Sequence, residues 1–138
     1  MKRTSLFVLF SLLFLVQSSD AALSPKIKYT VITAPPANAQ NINRFQKVTV
    51  HFTGWINKNG KKGFEFDSSV RRGKPFSFYV GAGQVIAGWD QIVMDMKAGE
   101  KRFVSIPAEL AYGARGSSSA HIPPGSDLFF EIEIIESI

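Results

Sequence analysis

The segment from Leu128 to Ile135 constrains this chain more than any other. Leu128, Phe130, Ile132 and Ile134 fall on one face of it, and Phe129, Glu131 and Glu133 on the other. Side chains of a strand point alternately to its two faces, so this is the pattern of a half-buried β-strand. The stretch from Gln46 to Ile56 repeats it, with Val48, Val50 and Phe52 alternating with Thr49, His51 and Thr53. Two strands with one apolar face each require a cover for that face. Only one segment has the spacing to supply it: between Ala87 and Met96, the residues Trp89, Ile92, Val93 and Met96 recur at helical intervals, and Gly99 follows as a stop.

Shorter extended pieces are expected at Ile27–Thr33, from Phe64 to Phe66, from Phe76 to Val80 and from Arg102 to Ile106, with a turn at Asn57-Lys58-Asn59-Gly60. The expected architecture is α+β: an antiparallel sheet, solvated on one face, with a single short helix across the other. Residues 46–138 form one domain on this reading. Residues 22–45 supply an N-terminal strand and a linker containing Pro35 and Pro36.

The first 21 residues are set apart from the fold. Lys2 and Arg3 precede an apolar run from Leu6 to Val16, broken only by Ser11, and the chain then turns small and polar through Ser18-Ser19-Asp20-Ala21. This is the form of a secretory signal peptide, and the run is about half the roughly 20 residues that a membrane-spanning helix needs. Cleavage is expected after Ala21, with no membrane attachment afterwards. The product would be exported, to a bacterial periplasm or the extracellular medium, or along the secretory pathway in a eukaryote. The chain has no cysteine, so the domain is held by its core without disulfides. Its net charge of +5 comes from scattered bases, with clusters at Lys58, Lys61 and Lys62 and at Arg71, Arg72 and Lys74. No basic stripe or stacking platform accompanies them, which argues against nucleic acid as a partner. Nothing in the pattern calls for an oligomer, and a monomer is expected.

Covalent and metal chemistry find little support. Two histidines, His51 and His121, with no cysteine and no ligand spacing, do not make a metal site. Ser117, Ser118 and Ser119 lie near His121, but a nucleophile needs a base that is itself oriented by a third group. Gly81-Ala82-Gly83 is followed by Gly88 at the wrong spacing for a dinucleotide loop, and no βαβ pattern surrounds it. No cofactor is expected.

What remains is a series of aromatic residues within short motifs: Val50-His51-Phe52-Thr53-Gly54, Phe66-Asp67-Ser68-Ser69, Lys74-Pro75-Phe76-Ser77-Phe78, Gln84-Val85-Ile86-Ala87-Gly88-Trp89, Ala111-Tyr112-Gly113 and Ile122-Pro123-Pro124. In this order and spacing they resemble the FKBP-type peptidyl-prolyl cis–trans isomerases, from about Val48 to the C-terminus. The resemblance implies a half-barrel sheet wrapped on the helix, with an apolar pocket between them that accepts a prolyl ring. It places Trp89 at the pocket floor and Phe76, Val85, Ile86 and Phe130 in its walls. Phe52, Phe66 and Tyr112 would line the rim, with Ile122 closing it from the flap and Asp67 on its polar side. Asp67, Tyr112 and Phe130 would be the catalytic residues and the others would bind substrate. The Ile86 backbone N–H and the Tyr112 hydroxyl would hold carbonyl groups. Proline-containing polypeptides and the macrolide inhibitors of the family are the implied ligands.

The physical chemistry of this reaction suits such residues. The barrier to amide rotation, roughly 18–20 kcal/mol, is lost resonance, so no bond has to break. A site that binds the twisted amide better than either planar form is a catalyst. Two departures from the family pattern stand out. Phe52 occupies a position where the family commonly has tyrosine, and the flap from Ser117 to His121 is about one residue longer. A non-catalytic chaperone or binding module using the same pocket is the competing class.

Overall fold

The computed structural model describes residues 23–138, so the expected signal peptide lies outside the described residues. Six strands, β1 (Lys28–Thr33), β2 (Lys47–Lys58), β3 (Lys61–Ser68), β4 (Phe76–Tyr79), β5 (Lys101–Ile106) and β6 (Leu128–Ser137), form one antiparallel sheet. Its order is β1-β5-β6-β2-β3, and β4 pairs with the first half of β2 while β3 pairs with the second. A single helical turn, α1 (Ser69–Arg72), joins β3 to β4, and the helix α2 (Ala87–Met94) joins β4 to β5. The sheet is open, and α2 lies across its concave face. This is the expected α+β arrangement.

The alternation predicted for β2 and β6 is the register seen. Val50 is opposite Ile134 and Phe52 is opposite Ile132. Val48, Val50, Phe52, Leu128, Phe130, Ile132 and Ile134 are all buried, as are Trp89, Ile92 and Val93 of α2. Each such apolar side chain contributes about 1.5–3 kcal/mol when fully buried. The helix stops at Met94, earlier than the spacing suggested. Met96 still reaches the core, but from the turn after the helix, and Gly99 serves that turn with φ +90.

Between β2 and β3 the chain reverses through Asn59 and Gly60, both with positive φ, and the Asn57 side chain accepts from the Gly60 N–H at 2.7 Å. Positive φ at both central residues is the geometry that matches strand twist in a two-residue hairpin. The hairpin is then bulged twice: Gly54 pairs with Asp67, Trp55 with Glu65, and Asn57 with Lys62. Bulges re-aim side chains. Here they put Glu65 and Lys62 on the convex side with Trp55, and leave Phe64 and Phe66 on the concave side.

The convex face is less uniformly solvated than its pattern predicted. Trp55, Phe103 and Phe129 come from three neighbouring strands and form an aromatic row, with ring centroids 6.4 and 5.1 Å apart. Lys62 Nζ sits 4.1 Å over Trp55, and Phe129 is only 8 % exposed. Trp55 is opposite Phe129 in the ladder, and the Phe103 ring from the next strand meets both of them. Strand β1 belongs to the same sheet through β5, and all six of its residues are exposed. No helix among the described residues is long and apolar enough to cross a membrane.

Candidate functional site

Between α2 and the concave face lies a cavity of about 240 Å³, lined by Phe52, Phe66, Asp67, Arg72, Phe76, Gln84, Val85, Ile86, Trp89, Tyr112 and Phe130. Its floor is Trp89, which α2 carries inward in its first turn. The ring centroid of Trp89 is 5.0 Å from Phe52, 5.4 Å from Phe130, 5.7 Å from Phe78 and 6.1 Å from Phe76. Edge and tilted contacts at these distances are the favoured geometry for aromatic pairs. Trp89 Nε1 is buried and finds no hydrogen-bond partner in the protein, since its surroundings are rings.

The wall on the β3 side depends on a missing side chain. A Cβ at Gly54 would stand 2.5 Å from the Phe66 ring and 2.8 Å from that of Phe130. The absence of a side chain there lets Phe66 meet Phe130 edge-on at 5.6 Å. The opposite wall is set by the loop before α2. Asp90 accepts the N–H of Gly81 at 2.8 Å and of Gly83 at 3.1 Å, with both glycines at positive φ. Gly81-Ala82-Gly83 is thus a tight turn anchored on the helix. It delivers Gln84, Val85 and Ile86 to the rim, and Ile86 is the residue that caps α2. At a helix start the leading N–H groups have no intrahelical partner, so the Ile86 end of α2 offers donors to a ligand.

The polar side of the mouth is built by α1. The Ser68 side chain caps this turn by accepting from Arg71 N at 3.1 Å, and Gly73 ends it in the left-handed conformation. Ser68 also bonds Thr53 at 2.9 Å, and the buried Ser69 hydroxyl bonds both His51 Nδ1 at 2.9 Å and Phe52 N at 2.7 Å. These bonds fasten α1 to β2. Arg72 is thereby aimed back at the cavity, where it pairs with Asp67 and lies 5.9 Å over the Phe52 ring. Asp67 also accepts from Ser68 N at 2.9 Å. Across the mouth, Tyr112 is partly exposed. Burial, and after it the negative charge of Asp67, raise its hydroxyl pKa above the ordinary phenol value.

Nine of the ten residues expected from the sequence line this cavity: Phe52, Phe66, Asp67, Phe76, Val85, Ile86, Trp89, Tyr112 and Phe130. Ile122 does not. The flap folds as a small hairpin in which Ser117 and Ile122 exchange backbone bonds of 2.9 and 2.8 Å. That closure turns the Ile122 side chain into the core, where it is 3 % exposed. Arg72 and Gln84 line the cavity and were missed. For Arg72 a signal existed, because Ser68-Ser69-Val70-Arg71-Arg72-Gly73 has the cap and stop of one helical turn that returns its last residue toward its first. Gln84 carried no such signal. His51, Ser69 and Ser117–Ser119 form no nucleophilic set. Ser69 is fully buried, and the flap serines contact one another.

Comparison with known proteins gives a consistent picture. A family model described as FKBP-type peptidyl-prolyl cis-trans isomerase matches residues 38–135. The chain is 39 % identical over 135 residues to an FK506-binding protein 2 of Candida glabrata, covering 96 % of each chain. It is 49 % identical over 90 residues to the peptidyl-prolyl cis-trans isomerase FPR2 of Saccharomyces cerevisiae, covering 65 % of this chain and 64 % of that one. It is 47 % identical over 91 residues to an FK506-binding protein of Neisseria meningitidis serogroup A, covering 66 % and 79 %.

Proposed function

The chain belongs to the FKBP-type peptidyl-prolyl cis-trans isomerases, and from that premise we propose that it catalyses rotation about Xaa-Pro bonds by holding the prolyl ring in the cavity over Trp89. The observation that carries this reading is the composition of that cavity: five aromatic rings and two aliphatic side chains inside, with polar groups confined to its mouth. A prolyl ring entering it leaves water, while the amide stays at the mouth. The planar amide is stabilised by charge separation, which an apolar surround disfavours. The twisted amide has less of it and is relatively favoured there. On this reading the Tyr112 hydroxyl and the Ile86 N–H hold the carbonyls on either side, and Asp67 with Arg72 forms the polar edge.

The role in the cell follows from the N-terminal segment. Residues 1–21 act as a signal peptide on this reading, residues 22–45 lead into the domain at 46–138, and the monomeric product assists folding of exported proteins in the periplasm or outside the cell. Mass spectrometry of the exported protein would report cleavage after Ala21, and an intact N-terminus there would count against it. The Candida glabrata and Neisseria meningitidis relatives are FK506-binding proteins by name, and the same cavity is expected to take such macrolides here. The deciding experiment is an isomerisation assay on a short Xaa-Pro peptide, with and without macrolide. Acceleration that the macrolide abolishes supports the reading; a rate equal to background overturns it.

A further inference from the structure

An aromatic contact outside the cavity extends its wall. Phe64 of β3 is 58 % exposed, and its ring meets the imidazole of His121 edge-on, with centroids 6.4 Å apart and planes at 85°. His121 is one of three non-glycine residues with positive φ among the described residues, at +60. An L-residue pays a steric cost in this region, and such strain concentrates where a side chain has been given a fixed placement. The strain is held by the flap hairpin: His121 N–H donates to Ser118 O at 3.2 Å, and the next residue, Ile122, is bonded on both sides to Ser117. Gly116, at the base of the flap, has its Cα so close to the returning chain that a Cβ would lie 2.4 Å from Ile122 O. The imidazole is therefore presented by a rigid turn.

The bulges in β3 give Phe64 its aim. Lys62 and Glu65 are opposite the convex-face residues Asn57 and Trp55, which leaves Phe64 on the concave side with Phe66. Phe66 is a cavity wall; Phe64 continues that wall outward to the flap. Two residues of strand advance about 6.6 Å, which is the reach of about two residues of an extended peptide. A chain with its proline seated over Trp89, leaving along this wall, would bring a residue two positions from the proline against Phe64 and His121.

We infer that Phe64 and His121 form a second subsite, which reads an aromatic side chain two residues away from the substrate proline. The inference rests on the isomerase reading for the location of the proline. It adds a selectivity that the cavity alone does not supply. An aromatic pair is worth about 0.5–1.5 kcal/mol beyond simple burial, equivalent to a two- to twelvefold change in affinity.

The test uses the full domain and peptides with phenylalanine or alanine two residues before, or two residues after, the proline. The expected wild-type result is a KM lower for one phenylalanine peptide than for its alanine counterpart by about two- to twelvefold. Phe64→Ser should bring that KM ratio close to one, and His121→Asn, which tolerates the left-handed backbone, should do the same. A ratio unchanged in both variants overturns the subsite, as does a wild-type ratio of one. Binding is also followed by the NMR signals of the Phe64 and His121 rings. If no peptide is isomerised but those signals still shift only with the phenylalanine peptides, the subsite stands and the catalytic reading fails.

Discussion

Asp67 and Arg72 meet as an ion pair across the mouth of the cavity, one from the end of β3 and the other from the last residue of α1. Both side chains are about half exposed, so solvent screens the pair and its contribution to stability is at most about 1 kcal/mol. Its consequence is positional. Phe52 has no hydroxyl to offer Asp67, so the carboxylate is oriented by Arg72 and by the Ser68 N–H. Arg72→Ala is expected to leave the thermal midpoint nearly unchanged and to lower kcat/KM on a short Xaa-Pro peptide several-fold. A variant with full activity would show that the carboxylate needs no such partner.

The closeness of Phe66 and Phe130 at Gly54 makes a sharper prediction. An alanine methyl there has nowhere to go, because both rings stand within 3 Å of its position. Gly54→Ala should displace the two rings and cost about 1–3 kcal/mol, the usual range for overpacking. The backbone of β2 and β6 around it is held by its ladder, so the damage should be local. We expect an intact far-ultraviolet dichroism spectrum with macrolide affinity reduced at least tenfold. Unaltered affinity would mean that the cavity walls can move without loss.

Tyr112 gives a prediction in pH. Its pKa is raised in the folded protein, first by burial and then by the charge of Asp67. Just above the ordinary phenol pKa, the folded form keeps a proton that the unfolded chain has released, so stability falls as pH rises through the window between the two values. Tyr112→Phe should remove that part of the alkaline slope. Asp67→Asn should lower the Tyr112 pKa while leaving it above the ordinary value, because burial is the larger cause. Spectrophotometric titration of the phenols, compared with Tyr112→Phe, checks both signs.

What was legible in the sequence follows a physical division. Alternation and helical spacing report which face of an element is apolar, so β2, β6 and α2 could be read directly, whereas the set of rings around the cavity was implied by the resemblance of the motifs. The cavity's polar edge could not be read in the same way. Arg72 reaches Asp67 only because Ser68 caps a turn of helix too short to show periodicity. Ile122 looked like a lid residue, yet the Ser117–Ile122 closure sends it into the core. The row formed by Trp55, Phe103 and Phe129 arises from register between three strands distant in sequence. Pattern within one strand is silent about which rings will stand side by side. The Phe64–His121 contact has the same origin, with two bulges and a left-handed residue that no periodicity announces.

The clearest prediction about stability lies away from the cavity, at the start of β5. Arg102 and Glu100 are almost completely buried. Arg102 Nε donates to Glu100 at 2.6 Å, while its other nitrogens donate to the Asp95 carboxylate at 2.8 Å and the Asp95 carbonyl at 2.9 Å. The ring of Tyr29 covers the guanidinium at 4.0 Å, tying β1 to the end of α2. Burial works against the charge on Arg102, but the hydrogen bonds and charges of Asp95 and Glu100 outweigh it, and its pKa is raised. Removing the guanidinium alone strands the Glu100 carboxylate in the interior, which typically costs about 3–5 kcal/mol. Arg102→Ala should therefore destabilise the domain by about that amount in urea unfolding. Arg102→Met combined with Glu100→Gln should be much milder, because the amide can still accept the Lys97 N–H that Glu100 now accepts at 3.0 Å. If the double variant were as unstable as Arg102→Ala, the stranded charge would not be the cause, and the loss would have to come from the packing of Tyr29 and β1 over the guanidinium.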